Sequence, residues 1–258
     1  MHLPSLIELV GLLGLGAGLG FFGGVFGIGG GIIAIPLLVL SFGMEQAMAQ
    51  GTALVLMVPN LLIAWRRYSQ RHPVPLGTAL RIGALASLTT LLVAQLATRL
   101  PPGLLRGVFS AFLLLLALRM LTQRRAAATD QKAGRLDARL MPLVGVVGGG
   151  CMGLLGIGGG LVATPLFTGT FGQRQTVAQS LSLALVAPSS VIALFTYGSA
   201  HSVDWSLGLP MAVGGLFSVS AGVALAHRLP EARLRAAFAW MLLGTALWLL
   251  LGLLWRAA

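Results

Sequence analysis

GVFGIGGGIIAIPLL, residues 24–38, returns as GLLGIGGGLVATPLF, residues 153–167, with nine of fifteen positions identical at an offset of 129 residues. Keeping that offset without a gap pairs Phe42-Gly43 with Phe171-Gly172, Gln46 with Gln175, Ala49-Gln50 with Ala178-Gln179 and Pro59 with Pro188. Further on, Tyr68 falls on Tyr197, His72 on His201, Arg99 on Arg228, Pro101 on Pro230 and Arg106 on Arg235. Agreement sustained over this length marks an internal duplication. The polar, charged stretch from Thr122 to Arg139 is the only one that reads as a soluble linker. The chain therefore divides into a first repeat over 1–121, a linker over 122–139 and a second repeat over 140–258.

The 258 residues are 57% hydrophobic and 9% charged, with a mean hydropathy of +0.92, whereas soluble domains are about a quarter charged. Several apolar runs approach the roughly 20 residues that cross a hydrocarbon core as a helix. An all-α polytopic membrane protein follows. A transmembrane β-barrel requires alternation, and Val108 to Leu118 does not alternate. The net charge of +11 comes from Lys and Arg clustered in short connections, which fits basic loops held on the cytoplasmic side rather than a nucleic-acid surface. Cys151 is the single cysteine and reads as a small packing residue within GGGCMG. The first twenty residues lack a basic n-region and an A-x-A site, so the N-terminus is expected to stay as the first helix.

Each half reads as five pieces. In the first these are a Gly-rich helix over about 4–27, a short apolar run over about 31–42, and longer helices over about 45–65, 76–98 and 103–121. Twelve residues rise about 18 Å, too little to cross, so the short run is expected to be re-entrant. Arg66, Arg67, Arg71 and Arg81 surround one connection, while its counterpart around Tyr197 to Trp205 carries no Lys or Arg and has Asp204. The equivalent loops then lie on opposite sides, and the repeats are inverted, a recurrent plan of secondary transporters whose substrates bind where helices break near the midplane.

Gly27, Gly29, Gly30 and Gly31, with Gly156, Gly158, Gly159 and Gly160, interrupt apolar sequence, where each helical glycine costs about 1 kcal/mol relative to alanine. Two readings of them stand. A helix can end and another begin there with free N–H groups that favour an anion, or the glycines serve close helix packing, as Gly14, Gly16, Gly18, Gly20 and Gly24 suggest. Pro36 and Pro165, five residues beyond Gly31 and Gly160, are expected to bend or end the short segments. A dinucleotide or P-loop reading fails, since no strand precedes the turn and no G-K-[ST] follows.

The next helix carries Gln46, Gln50, Ala53, Met57 and Asn60 on one face, and its mate carries Gln175, Gln179, Ser182, Val186 and Ser189. Neutral donors suit a polyoxoanion, and equally suit interhelical hydrogen bonds. Gln50 and Gln179 are the leading substrate-binding candidates, with Gly29 to Gly31, Gly158 to Gly160, Thr52 and Ser182 around them. Tyr68, His72, Tyr197 and His201 are gate candidates or plain interfacial residues. No catalytic triad, cofactor motif or metal-ligand set is visible, so neither an enzyme nor a cofactor is expected. Proton coupling and facilitated diffusion both stay open.

The paired G-x-G-G-G…P-L signature on a duplicated helical chain resembles the sulfite exporter TauE/SafE family, also called the 4-toluene sulfonate uptake permease family, over both halves. That resemblance implies transport of sulfite, sulfonates or other sulfur-containing organic anions across the bacterial inner membrane, with export the expected direction. It carries over only to the glycines and prolines of the motif.

Overall fold

A computed structural model describes residues 6–26, 30–71, 73–122, 136–226, 237, 239–249 and 251. Among these the chain is all-helical: α1 Leu6–Phe26, α2 Gly31–Ser41, α3 Gln46–Arg71, α4 Leu76–Ala97, α5 Pro102–Thr122, a 3-10 turn at Ala138–Leu140, α6 Met141–Leu155, α7 Gly160–Gly169, α8 Gln175–Ser199 and α9 Trp205–Ala226. A further apolar helix, α10, covers Ala239–Leu249. Starts at 31, 46 and 76 return at 160, 175 and 205, so the 129-residue offset of the sequence is also that of the helices.

Among the described residues six helices are long and apolar enough to span a bilayer, which makes this a multi-pass membrane protein. The spans within α3 and α8 are 61% and 67% buried, against 22% to 33% for those of α1, α4, α5 and α9. The pair α3 and α8 thus forms the centre. The outer helices turn Leu6, Ile7, Leu76, Leu115 and Phe217 outward, a surface only lipid covers without cost.

Helix α3 reaches Arg71, six residues beyond the apolar run. Arg66 and Gln70 are exposed, and as good helix formers they extend it until Pro73 makes continuation unfavourable.

Small residues set how closely the helices approach. Side chains at Gly16 and Gly20 of α1 would strike the backbone of Met211 and Gly215 in α9, and side chains at Gly145 and Gly149 of α6 would strike Ile82 and Ala86 in α4. Each contact is the other displaced by 129 residues. Of the N-terminal glycines, Gly16 and Gly20 serve packing, whereas Gly14 and Gly18 face open space. Thr90 Oγ1 adds an interhelical bond to the Gly149 carbonyl at 2.9 Å.

These contacts also give direction. Pairs rising together place α1 parallel to α9 (Gly16 with Met211, Gly20 with Gly215) and α6 parallel to α4 (Gly145 with Ile82, Gly149 with Ala86). Helix α3 runs with α9, Gly51 meeting Ser202 and Val55 meeting Gly208, and α6 runs with α8, Gly148 meeting Leu185 and Gly153 meeting Tyr197. By contrast α3 and α8 are antiparallel: the start of α3 at Gln50 meets the end of α8 at Tyr197.

The α4–α6 seam yields a stability prediction. Thr90→Val is expected to lower thermal stability in detergent modestly, by about 0.6 kcal/mol for one intramembrane hydrogen bond. Gly149→Leu should cost more, about 1–3 kcal/mol, because the backbone of α4 cannot yield as a side chain can. Equal midpoints for both variants would contradict this packing.

Candidate functional site

Both glycine motifs are helix breaks. Helix α6 ends at Leu155 with Gly156 at φ 66° as its cap, the Gly156 N–H bonding to the Met152 carbonyl, and α7 begins at Gly160. At the first break the left-handed glycine stands on the other side: Gly30, at φ 88°, is the N-cap of α2. Such φ values are strained for any residue with a β-carbon, and glycine therefore occupies them. Gly29, like Gly27, lies outside the described residues.

The prolines do not make the breaks. Pro36 lies inside α2 and Pro165 inside α7, and each helix continues through its proline. A proline in the second turn removes one backbone bond, and the surrounding burial of Ile35, Leu38 and Phe167 holds the segment helical.

Neither short helix has a side chain capping its N-terminus. Gly30, Gly31, Gly158 and Gly159 are buried, so two uncapped helix starts face the interior, each with orphan N–H groups and the positive end of a helix dipole. The breaks come together at one side chain. A β-carbon on Gly31 would fall against Met57 Sδ and 3.0 Å from its Cε, and one on Gly158 would lie 4.0 Å from the same Cε. Val186, the counterpart of Met57, lies 3.5 Å and 3.4 Å from equivalent positions on Gly158 and Gly160.

Gln50 is fully buried beside the second break, its Cβ 3.1 Å from a β-carbon built on Gly156. The Tyr197 hydroxyl lies 2.7 Å from Gln50 Oε1 and 3.0 Å from the Gly153 carbonyl, and its one proton is shared between these two acceptors. Tyr197 is thus no loop residue: it lies in α8, fully buried, and joins α3 to α6. Among the described residues Gln50 Nε2 has no partner, nor does either amide atom of Gln46 or of Asn60, which are 1% and 5% exposed. An unpaired buried polar group costs about 1–3 kcal/mol. The stripe read from the sequence therefore holds Gln46 and Asn60 beside Gln50, neither of which its residue type alone marks as a site.

The mate stripe differs. Gln179 is half-buried. Ser182 shares a 2.8 Å hydrogen bond with Thr164 of α7, and Ser189 donates to the Leu185 carbonyl. Thr52 is buried, and its Oγ1 accepts the Asp204 backbone N–H at 2.9 Å. Asp204 in turn caps α9, its Oδ1 accepting from the N–H groups of Ser206 and Leu207. The acid that distinguishes this loop from its arginine-rich counterpart thus has a structural task. His201 is exposed in the turn after α8, at φ 55°. His72 and the side chain of Tyr68 lie outside the described residues.

Comparison with known proteins agrees with this architecture. A family model described as Sulfite exporter TauE/SafE matches residues 12–249. A probable membrane transporter protein of Methanocaldococcus jannaschii is 25% identical, covering 90% of each chain. One of Xylella fastidiosa is 25% identical over 100% of this chain and 98% of its own, and one of Haemophilus influenzae is 27% identical over 90% and 94%. No solved structure gives a significant match. With its multi-pass helical architecture and a family match over nearly its whole length, the chain belongs to the sulfite exporter TauE/SafE family of membrane transporters.

Proposed function

We propose that the protein is a secondary transporter that carries a small sulfur-containing anion, sulfite or an organosulfonate, out across the bacterial inner membrane by alternating access around its two glycine breaks. The observation that carries this reading is the meeting of both breaks at Met57, next to a buried amide row with unpartnered atoms. Helix N-termini and neutral amides together offer donors without a fixed counter-charge, which suits an anion that must leave again. Gly30, Gly31, Gly158 to Gly160 and Gln50 form its proposed core, to which Ser182, near Gly160, and Gln179, three residues before Ser182 on α8, are added. In the structure Thr52 serves the Asp204 loop, and we place it outside that core.

An inverted arrangement of the halves over 1–121 and 140–258 accords with the helix directions, since α1, α3 and α9 run one way and α4, α6 and α8 the other. In that reading α2 and α7 are re-entrant: 11 and 10 residues rise only about 15–17 Å. The basic Arg66–Arg71 end of α3 and the 122–139 linker are then cytoplasmic.

In proteoliposomes, saturable flux of sulfite or an organosulfonate with counterflow is the expected result. Non-saturating conductance would point to a passive channel. Absence of movement for sulfite, sulfate, thiosulfate and organosulfonates alike would remove the assignment and leave the breaks as packing devices.

A further inference from the structure

We propose that Met57 is the selectivity-determining partition of the transport lane, a flexible thioether between the two breaks that sets the largest anion able to pass from the Gln50 side to the Asn60 side. This rests on the breaks being the substrate site. Gln46, Gln50 and Asn60 share one face of α3 and are each at least 95% buried, with five amide atoms that have no partner among the described residues. From first to last the row extends about 21 Å along the helix axis. That is most of a hydrocarbon core of about 30 Å.

Between Gln50 and Asn60 the same face carries only Ala53 and Met57. Met57 is fully buried, and its Sδ and Cε lie against Gly31 of one break and Gly158 of the other. An apolar side chain thus interrupts a polar row where the two halves meet. On α8 the equivalent residue is Val186, shorter and stiff at χ1, and the hydroxyls of Ser189, Ser190 and Thr196 bond to carbonyls of their own helix. Among the described residues the buried side-chain polar atoms without a partner all lie on α3, and the lane follows α3. Methionine suits a partition that must move, being unbranched with three rotatable bonds. The missing side chain of Gly31 is what lets the Met57 sulfur sit against the first break.

The test combines selectivity with a readout that needs no transport. In proteoliposomes, Met57→Ala is expected to raise the rate for 4-toluenesulfonate relative to sulfite by about 10-fold or more, the scale on which pocket size discriminates. Met57→Phe should exclude the larger anion first, and Met57→Leu, of similar volume, should keep the native ratio and show that the fold tolerates change there. Separately, in a Cys151→Ser background, Gln46→Cys and Asn60→Cys should react with a membrane-impermeant methanethiosulfonate from opposite sides only, and adding Met57→Ala should let reagent from one side reach both. If the selectivity ratio and the sidedness are both unmoved by Met57→Ala, the partition is overturned. If no sulfur anion moves in the wild type but the sidedness changes as expected, the substrate assignment fails while the partition stands.

Discussion

Gly159→Val is expected to abolish both anion binding and flux. The obstacle is space, because Gly159 has an ordinary helical φ of −59°. A β-carbon there would coincide with the carbonyl of Gly148 in α6. Backbone cannot rotate aside, so α7 would have to leave α6, drawing Gly158 away from Met57 and Gly160 away from Val186. Overpacking of this kind costs about 1–3 kcal/mol or more. A graded series isolates the cause. Gly158→Ala meets Val186 at an unremarkable 3.5 Å but sits at φ 79°, a strain of about 1–2 kcal/mol, and should be intermediate. Gly169→Ala, with nothing near it, should be neutral. Gly30→Val combines both faults, at φ 88° and 2.8 Å from the Leu19 carbonyl, and should match Gly159→Val. Flux and detergent melting measured on the same preparations would check the order; wild-type flux in Gly159→Val would show that the second break has no part in transport.

The second large effect is expected at Gln50. Removing a donor to a charged ligand costs about 1.5–3 kcal/mol, roughly 10- to 100-fold in affinity, so Gln50→Ala should weaken sulfite binding by that factor without unfolding the protein. Tyr197→Phe removes no donor to the anion, yet it leaves Gln50 Oε1 and the Gly153 carbonyl without their shared hydroxyl. It should weaken binding less and lower thermal stability more. Because the two residues act as a unit, the double variant should bind little worse than Gln50→Ala alone, a non-additivity that a double-mutant cycle measures. Gln179→Ala, at a half-buried position, should have the smaller effect of the two glutamines. Normal binding by purified Gln50→Ala would dismiss the proposed site.

The structure also ranks residues that the sequence presents as equals. Gln50 and Gln179 share a register, and so do Tyr197 and Tyr68, but only the Gln50–Tyr197 pair is held in a described contact at the second break. Thr52 and Asp204, one a substrate candidate and the other a charge marker by sequence, meet in a hydrogen bond that fastens the α8–α9 loop to α3. Met57 belongs to no motif and has no chemistry to announce it. Its position becomes meaningful only once Gly31 and Gly158, which are 127 residues apart in the chain, lie on either side of it.

The sequence alone determined the duplication, the helical membrane architecture and the position of each break. These depend on local quantities: apolar run length against bilayer thickness, the conformational freedom of glycine, and a repeat preserved residue for residue. Of the two outcomes expected at Pro36 and Pro165, bending or ending, the helices do not end there, because the loss of one backbone bond in a short helix is outweighed by burial that local sequence does not reveal. Which face of α3 is sealed, which amides lack partners and which tyrosine reaches which glutamine were decided by tertiary structure. The Gln50–Tyr197 bond joins residues 147 apart, and whether a buried amide has a partner depends on the neighbouring helices, which no stretch of its own helix encodes.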